Sequence, residues 1–92
     1  MPRIVAAMTV PITKLKAVLS KNVKTRRKAL GLSQEQLALE AEIDRTYVSQ
    51  IERMIANPSL LALHKIAQRL NTEITSLFDE PQRSSQSGPE KR

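Results

Sequence analysis

The sequence predicts an all-α domain of five helices, and three observations carry that expectation. Apolar residues recur at three- and four-residue spacing from about Thr13 to Phe78. Capping residues and helix stops punctuate the pattern at intervals. No stretch alternates with the period of two that a half-buried strand requires, and no internal repeat is visible.

In the first helix Leu15, Val18, Leu19, Val23, Arg27 and Leu30 form one stripe, with Thr13 as the expected N-cap and Gly31 as the stop. Ser33-Gln34-Glu35-Gln36 reads as a capping box, in which Ser33 caps and Gln36 reaches back to its amide. Leu37, Ala38 and Ala41 are the buried face of that short second helix. Asp44 is the N-cap expected for a third, whose inner face is Tyr47, Val48 and Ile51. Asn57-Pro58-Ser59 is a turn opening a fourth helix with Leu60, Leu63, Ile66, Ala67 and Leu70 at helical spacing. Thr72 is the expected cap of a fifth, carrying Ile74, Leu77 and Phe78. From Pro81 the residues turn to Gln, Ser, Gly, Pro and charge, which bury too little surface to stay ordered. The chain therefore divides into an arm (1–12), one folded domain (13–79) and a disordered tail (80–92).

Composition narrows the function. Without cysteine there is no disulfide, zinc-thiolate site or thiol nucleophile, and His64 is the single histidine. No metal, cofactor or catalytic chemistry is expected, and His64 reads as a partly buried helix residue. Tyr47 and Phe78 are the two aromatics, too few for a base-stacking platform. The formal net charge of +6 favours a polyanionic partner. Residues 20–78, however, hold nine basic against six acidic side chains, so the domain itself is only +3. No apolar run reaches the roughly 18 residues of a membrane span. The start, MPRIVAAMTVP, is too short and too soon followed by Lys14 and Lys16 to act as a signal peptide. A cytoplasmic protein without membrane contact is expected.

The second and third helices, about Ser33–Ala41 and Asp44–Arg53, are separated only by Glu42-Ile43-Asp44. So short a link prevents antiparallel packing and makes the pair cross steeply, as in a helix-turn-helix. The third helix then projects Arg45, Thr46, Ser49 and Gln50 outward. These side chains suit the edges of bases in a DNA major groove: Arg donates twice to guanine, Gln pairs with adenine, and Thr offers a hydroxyl and a methyl. On an isolated helix the same residues would be an ordinary solvated face.

The run from GLSQEQLALEAEIDRTYVSQIE to NPSLLALHKIAQRL resembles the helix-turn-helix domains of phage repressors and Cro-like proteins, the Xre family. The resemblance extends from about Leu19 to Phe78, and DRTYVSQIER is similar to the restriction–modification controller proteins. It implies a repressor-like five-helix domain that binds double-stranded DNA. Gln34 matches a glutamine that contacts phosphate and braces the recognition helix, and Tyr47 matches a position near the DNA backbone. With Lys21, Lys24 and Arg53 they make the expected backbone-contacting set. Arg45, Thr46, Ser49 and Gln50 match base-reading positions. Arg27 and Glu52 match an internal ion pair, and Arg27 lies on the apolar stripe, where an unpaired charge would be costly.

Three positions depart from the family pattern. Glu42 and Met54 stand where glycines are usual, and Ala56 stands where a basic residue often reaches DNA. A side chain at positive φ costs about 1 kcal/mol. The expectation is a transcriptional regulator reading a short palindromic operator as a homodimer, with no small-molecule effector, paired through Leu61, Ile74, Leu77 and Phe78. The alternative is a protein-interaction or antitoxin-like module acting through a partner protein.

Overall fold

The computed structural model describes residues 10–80. The expectations for the N-terminal arm and the tail fall largely on 1–9 and 81–92, outside the described residues. Four α-helices follow in order: α1 (Ile12–Ala29), α2 (Gln34–Ala41), α3 (Arg45–Glu52) and α4 (Leu60–Arg69). A five-residue 3-10 helix, Ile74–Phe78, closes the domain. No strand occurs among the described residues.

The expected fifth α-helix is thus corrected to a 3-10 helix. Its backbone bonds run i to i+3, from the Ser76 amide to the Glu73 carbonyl (3.0 Å) and from the Asp79 amide to the Ser76 carbonyl (3.3 Å). An α-helix continued past Phe78 would call on the amide of residue 81 for the Leu77 carbonyl, and Pro81 has none. Asn22 supplies the donor instead: its side-chain amide donates to the carbonyls of Leu77 (2.8 Å) and Asp79 (2.7 Å). Glu73, rather than Thr72, precedes the element, with no side-chain cap. At the other end of the domain Pro11, not Thr13, is the N-cap of α1, and its carbonyl accepts from the amides of Lys14 and Leu15. Pro suits that extended position without offering a side-chain cap.

Ser33, Asp44 and Ser59 cap α2, α3 and α4, each accepting from a first-turn amide at 2.8–3.1 Å. The Ser33 box is only half built, because Gln36 turns away from the Ser33 amide and bonds Glu40. Glu40 also pairs with Arg69, strapping α2 to α4. Those two bonds, Gln36 first, hold the Glu40 carboxyl below its ordinary range. The strap's contribution is therefore present at neutral pH and fades as acid protonates Glu40.

All four α-helices end in the same way. A residue in the left-handed region, Gly31 (φ 73), Glu42 (φ 62), Met54 (φ 67) or Asn71 (φ 61), reverses the chain. The amide after it then returns to a carbonyl five residues back: Leu32 to Arg27, Ile43 to Ala38, Ile55 to Gln50 and Thr72 to Ala67. Asn tolerates this conformation, whereas Glu and Met do not favour it. Glu42→Gly and Met54→Gly are each expected to raise stability by about 0.5–1 kcal/mol, the relief of steric cost exceeding glycine's entropic penalty. Urea melts of the two variants check this. Midpoints at or below that of the parent would show that the surroundings already absorb the strain.

The core lies where the helices meet. Val23, Leu37, Val48, Ile66 and Leu77 have no exposed surface, and Leu19, Ala38, Ile51 and Ala67 surround them. α3 packs on α2 and α1, while α1 and α4 hold the 3-10 helix. One face of α3 is thereby consumed by the core and the other is left to solvent.

Candidate nucleic-acid interface

On α3, Val48, Ile51 and Glu52 point inward, Arg45 and Thr46 are exposed, and Ser49 and Gln50 are half-buried. The Asp44 cap and the left-handed stop at Met54 fix its two ends, so the outward face is set by backbone geometry. Beside it, the N-terminal turn of α2 completes an open cleft of about 490 Å³. Its lining brings together Gln34, Arg45, Thr46 and Ser49 with Arg27, Ser33 and Glu35. Gln50 lies farther along α3 and is not part of the lining.

Arg27, in the lining of the cleft, is held in an ion pair with Glu52. Arg27 Nε donates to Glu52 Oε2 (2.7 Å) and Nη2 to Glu52 Oε1 (3.0 Å), while Nη1 donates to the Leu32 carbonyl (2.7 Å). Gln34 Nε2 donates to Glu52 Oε1 at 2.9 Å. The side chains of Arg27 and Glu52 are only 9% and 2% exposed, so the charges are compensated by each other and by these bonds rather than by water. Ser20 Oγ donates to the Glu52 main-chain carbonyl (2.7 Å), adding a second tie from α1 to α3. α1, α2 and α3 are therefore locked directly beneath the outward residues.

At the rim, Arg45 Nη1 donates to Glu35 Oε2 at 2.7 Å. Both side chains are about 70% exposed, and an ion pair in that setting is worth no more than about 1 kcal/mol. Glu35 is a participant that sequence reasoning missed. Its place in the first turn of α2 gave it the look of an ordinary helix-dipole acid, and nothing in a ten-residue separation announces contact with Arg45.

The other candidate residues are spread around this cleft. Tyr47 packs its ring against the core and its hydroxyl oxygen accepts from the Ser59 amide (2.8 Å), anchoring the link between α3 and α4. Among the described residues no acceptor takes its hydroxyl proton. Lys21 and Lys24 are exposed on α1, and Arg53 is exposed just after α3; none of the three lines the cleft. Ala56 is buried in the core, so no side chain reaches outward there. His64, expected to be partly buried, is exposed on α4.

The four apolar residues expected to pair two copies do not form one surface. Leu61 is 62% exposed, Ile74 and Phe78 are half-buried against the core, and Leu77 is completely buried. Leu77 is therefore corrected to a core residue, since a side chain without exposed surface touches no partner. Leu60, 73% exposed beside Leu61, went unnoticed because helical spacing alone assigned it to the inner face. Among the described residues no group of three or more His, Cys, Asp or Glu gathers as a metal site would, and no helix is long and apolar enough to cross a membrane.

A family model described as Helix-turn-helix matches residues 23–77. The HTH-type transcriptional regulator SlrR of Bacillus subtilis is 41% identical over 58 residues, 62% of this chain but 38% of SlrR. The chain thus spans well under half of that longer relative. The control protein C.SmaI of Serratia marcescens is 39% identical over 64 residues, covering 70% of this chain and 76% of C.SmaI. Among solved structures, SinR, a master regulator for biofilm formation, in complex with DNA, superposes with a TM-score of 0.63 at 34% identity. That match covers 66% of this chain and 98% of SinR's.

Proposed function

The chain belongs to the Xre-like helix-turn-helix family, matched over residues 23–77, and from that membership we propose a regulator of transcription that reads a short palindromic operator in double-stranded DNA as a homodimer. The observation that carries this reading is the outward face of α3: Arg45 and Thr46 in its first turn, Ser49 behind them, seated over the Arg27–Glu52 lock. The first turn of such a helix reaches deepest into a major groove. Arg45 would donate to guanine, and Thr46, Ser49 and Gln50 would read neighbouring positions. Gln34, Tyr47, Lys21, Lys24 and Arg53 would hold the phosphates on either side.

The chemistry required is binding and release, so the protein is a regulator rather than an enzyme, working where the DNA is, in the cytoplasm. One domain of this size reads few base pairs, and a two-fold pair doubles the site at a spacing of about one helical turn. The exposed Leu60–Leu61 pair is the apolar surface best suited to that pairing.

Selection from a pool of random duplexes tests the reading. A palindromic preference supports it, and equal binding of all sequences sinks it. Arg45→Ala is then expected to cost about 1–3 kcal/mol on the preferred duplex and to relax choice at one base pair per half-site. Lys24→Ala should instead weaken all duplexes alike and flatten the dependence on salt. If Arg45→Ala left the ranking of sites intact, Arg45 would be a phosphate anchor.

A further inference from the structure

The cleft contains one group whose charge opposes DNA binding. Glu35 is a carboxylate 71% exposed on the lip that the proposed reading turns toward a polyanion, and there it accepts from Arg45 at 2.7 Å. Repulsion from phosphate lowers affinity for every duplex equally, so a carboxylate in this place contributes little to holding DNA. Its contact is with the side chain assigned to read a guanine. A guanidinium has five N–H donors in a rigid plane, and among the described residues only Nη1 of Arg45 is engaged. The edge made by Nε and Nη2 therefore stays open for the two acceptors of guanine, O6 and N7. Arg side chains carry about 2 kcal/mol of rotamer entropy, and a partner on one nitrogen limits how far that edge can swing toward a phosphate.

Resting on the DNA-reading function above, we propose that Glu35 is a positioning residue that sets sequence specificity: through its ion pair with Arg45 it aims the open guanidinium edge at a guanine and withholds Arg45 from the phosphate backbone. It adds discrimination at the expense of general affinity. The distinction matters because an unrestrained Arg45 would serve any duplex as a phosphate ligand, whereas a restrained one serves only a duplex with guanine in reach.

The test uses the full chain and the duplex selected from a random pool. The guanine read by Arg45 is first located as the base pair at which Arg45→Ala loses preference. Glu35→Ala is then expected to lower discrimination at that same base pair by about threefold to fivefold, as an exposed pair allows, while binding to unrelated duplexes stays level or tightens. Glu35→Gln, whose amide oxygen still accepts from Arg45, should retain part of the discrimination. Added to Arg45→Ala, the Glu35→Ala change should do nothing further at that position. Thermal melting should fall by a few degrees at most, from the lost first-turn acid and its pair, and a merely structural role would give that shift with the ranking of duplexes unchanged. Full discrimination in Glu35→Ala would overturn the proposal. So would loss of preference at a different base pair, which would make Glu35 a base reader itself. A parent protein with no preference among duplexes would overturn the DNA-reading function, and that outcome appears before any Glu35 variant is examined.

Discussion

Glu52→Ala is expected to destabilise the domain by about 3–5 kcal/mol, a large share of the 5–15 kcal/mol that holds a typical small protein together. The Arg27 guanidinium would keep only its bond to the Leu32 carbonyl, and Gln34 would lose its acceptor as well. The size of the effect comes from leaving one charge uncompensated, not from the attraction between two. Replacing both partners with Met should therefore cost less than Glu52→Ala alone, because no orphan charge is then buried. Denaturant melts of Glu52→Ala, Arg27→Met and the double replacement measure this directly. A Glu52→Ala midpoint near that of the parent would mean that water reaches the pair. The same variant should lose DNA binding along with its fold, so affinity by itself cannot assign a role to Glu52.

The second large effect belongs to Leu77. It is fully buried, and Leu77→Ala is expected to cost about 2–5 kcal/mol through lost contact and the cavity left behind. Leu61→Ala, at a side chain 62% exposed, should leave the melting of an isolated domain nearly unchanged. If copies pair through the Leu60–Leu61 ridge, sedimentation should separate the two variants: Leu61→Ala shifts the monomer–dimer balance and Leu77→Ala shifts the unfolding midpoint. A Leu77→Ala protein that melts like its parent but no longer self-associates would return Leu77 to the interface.

The sequence announces what depends on neighbours in the chain. Ser33, Asp44 and Ser59 cap helices within three residues of themselves, and each could be read from its residue type and the apolar pattern that follows. The steep helix pair was legible because three linking residues allow few geometries. Arg27 was suspicious for being charged on an apolar stripe, although its partner Glu52, 25 residues away, came only from the resemblance. What was missed depends on distant or competing partners. Gln36 had a choice between the Ser33 amide and Glu40, and one-dimensional spacing does not rank the two. The 3-10 form of Ile74–Phe78 owes its carbonyl partner to Asn22, 55 residues earlier. Glu35 acquired its significance only when α2 and α3 crossed.

The four left-handed helix stops bear on the order in which the domain assembles. Each reversal is settled within six residues, so every corner, including the one between α2 and α3, can form before any distant contact exists. Long closures then remain, among them Arg27 with Glu52 across 25 residues and Asn22 with Leu77 across 55. The longer loop carries about 0.7 kcal/mol more closure entropy. The α2–α3 pair is therefore placed to lock early on the route to the native state, and the docking of Ile74–Phe78 under Asn22 is expected to follow it. Chains dominated by such short-range decisions fold fast.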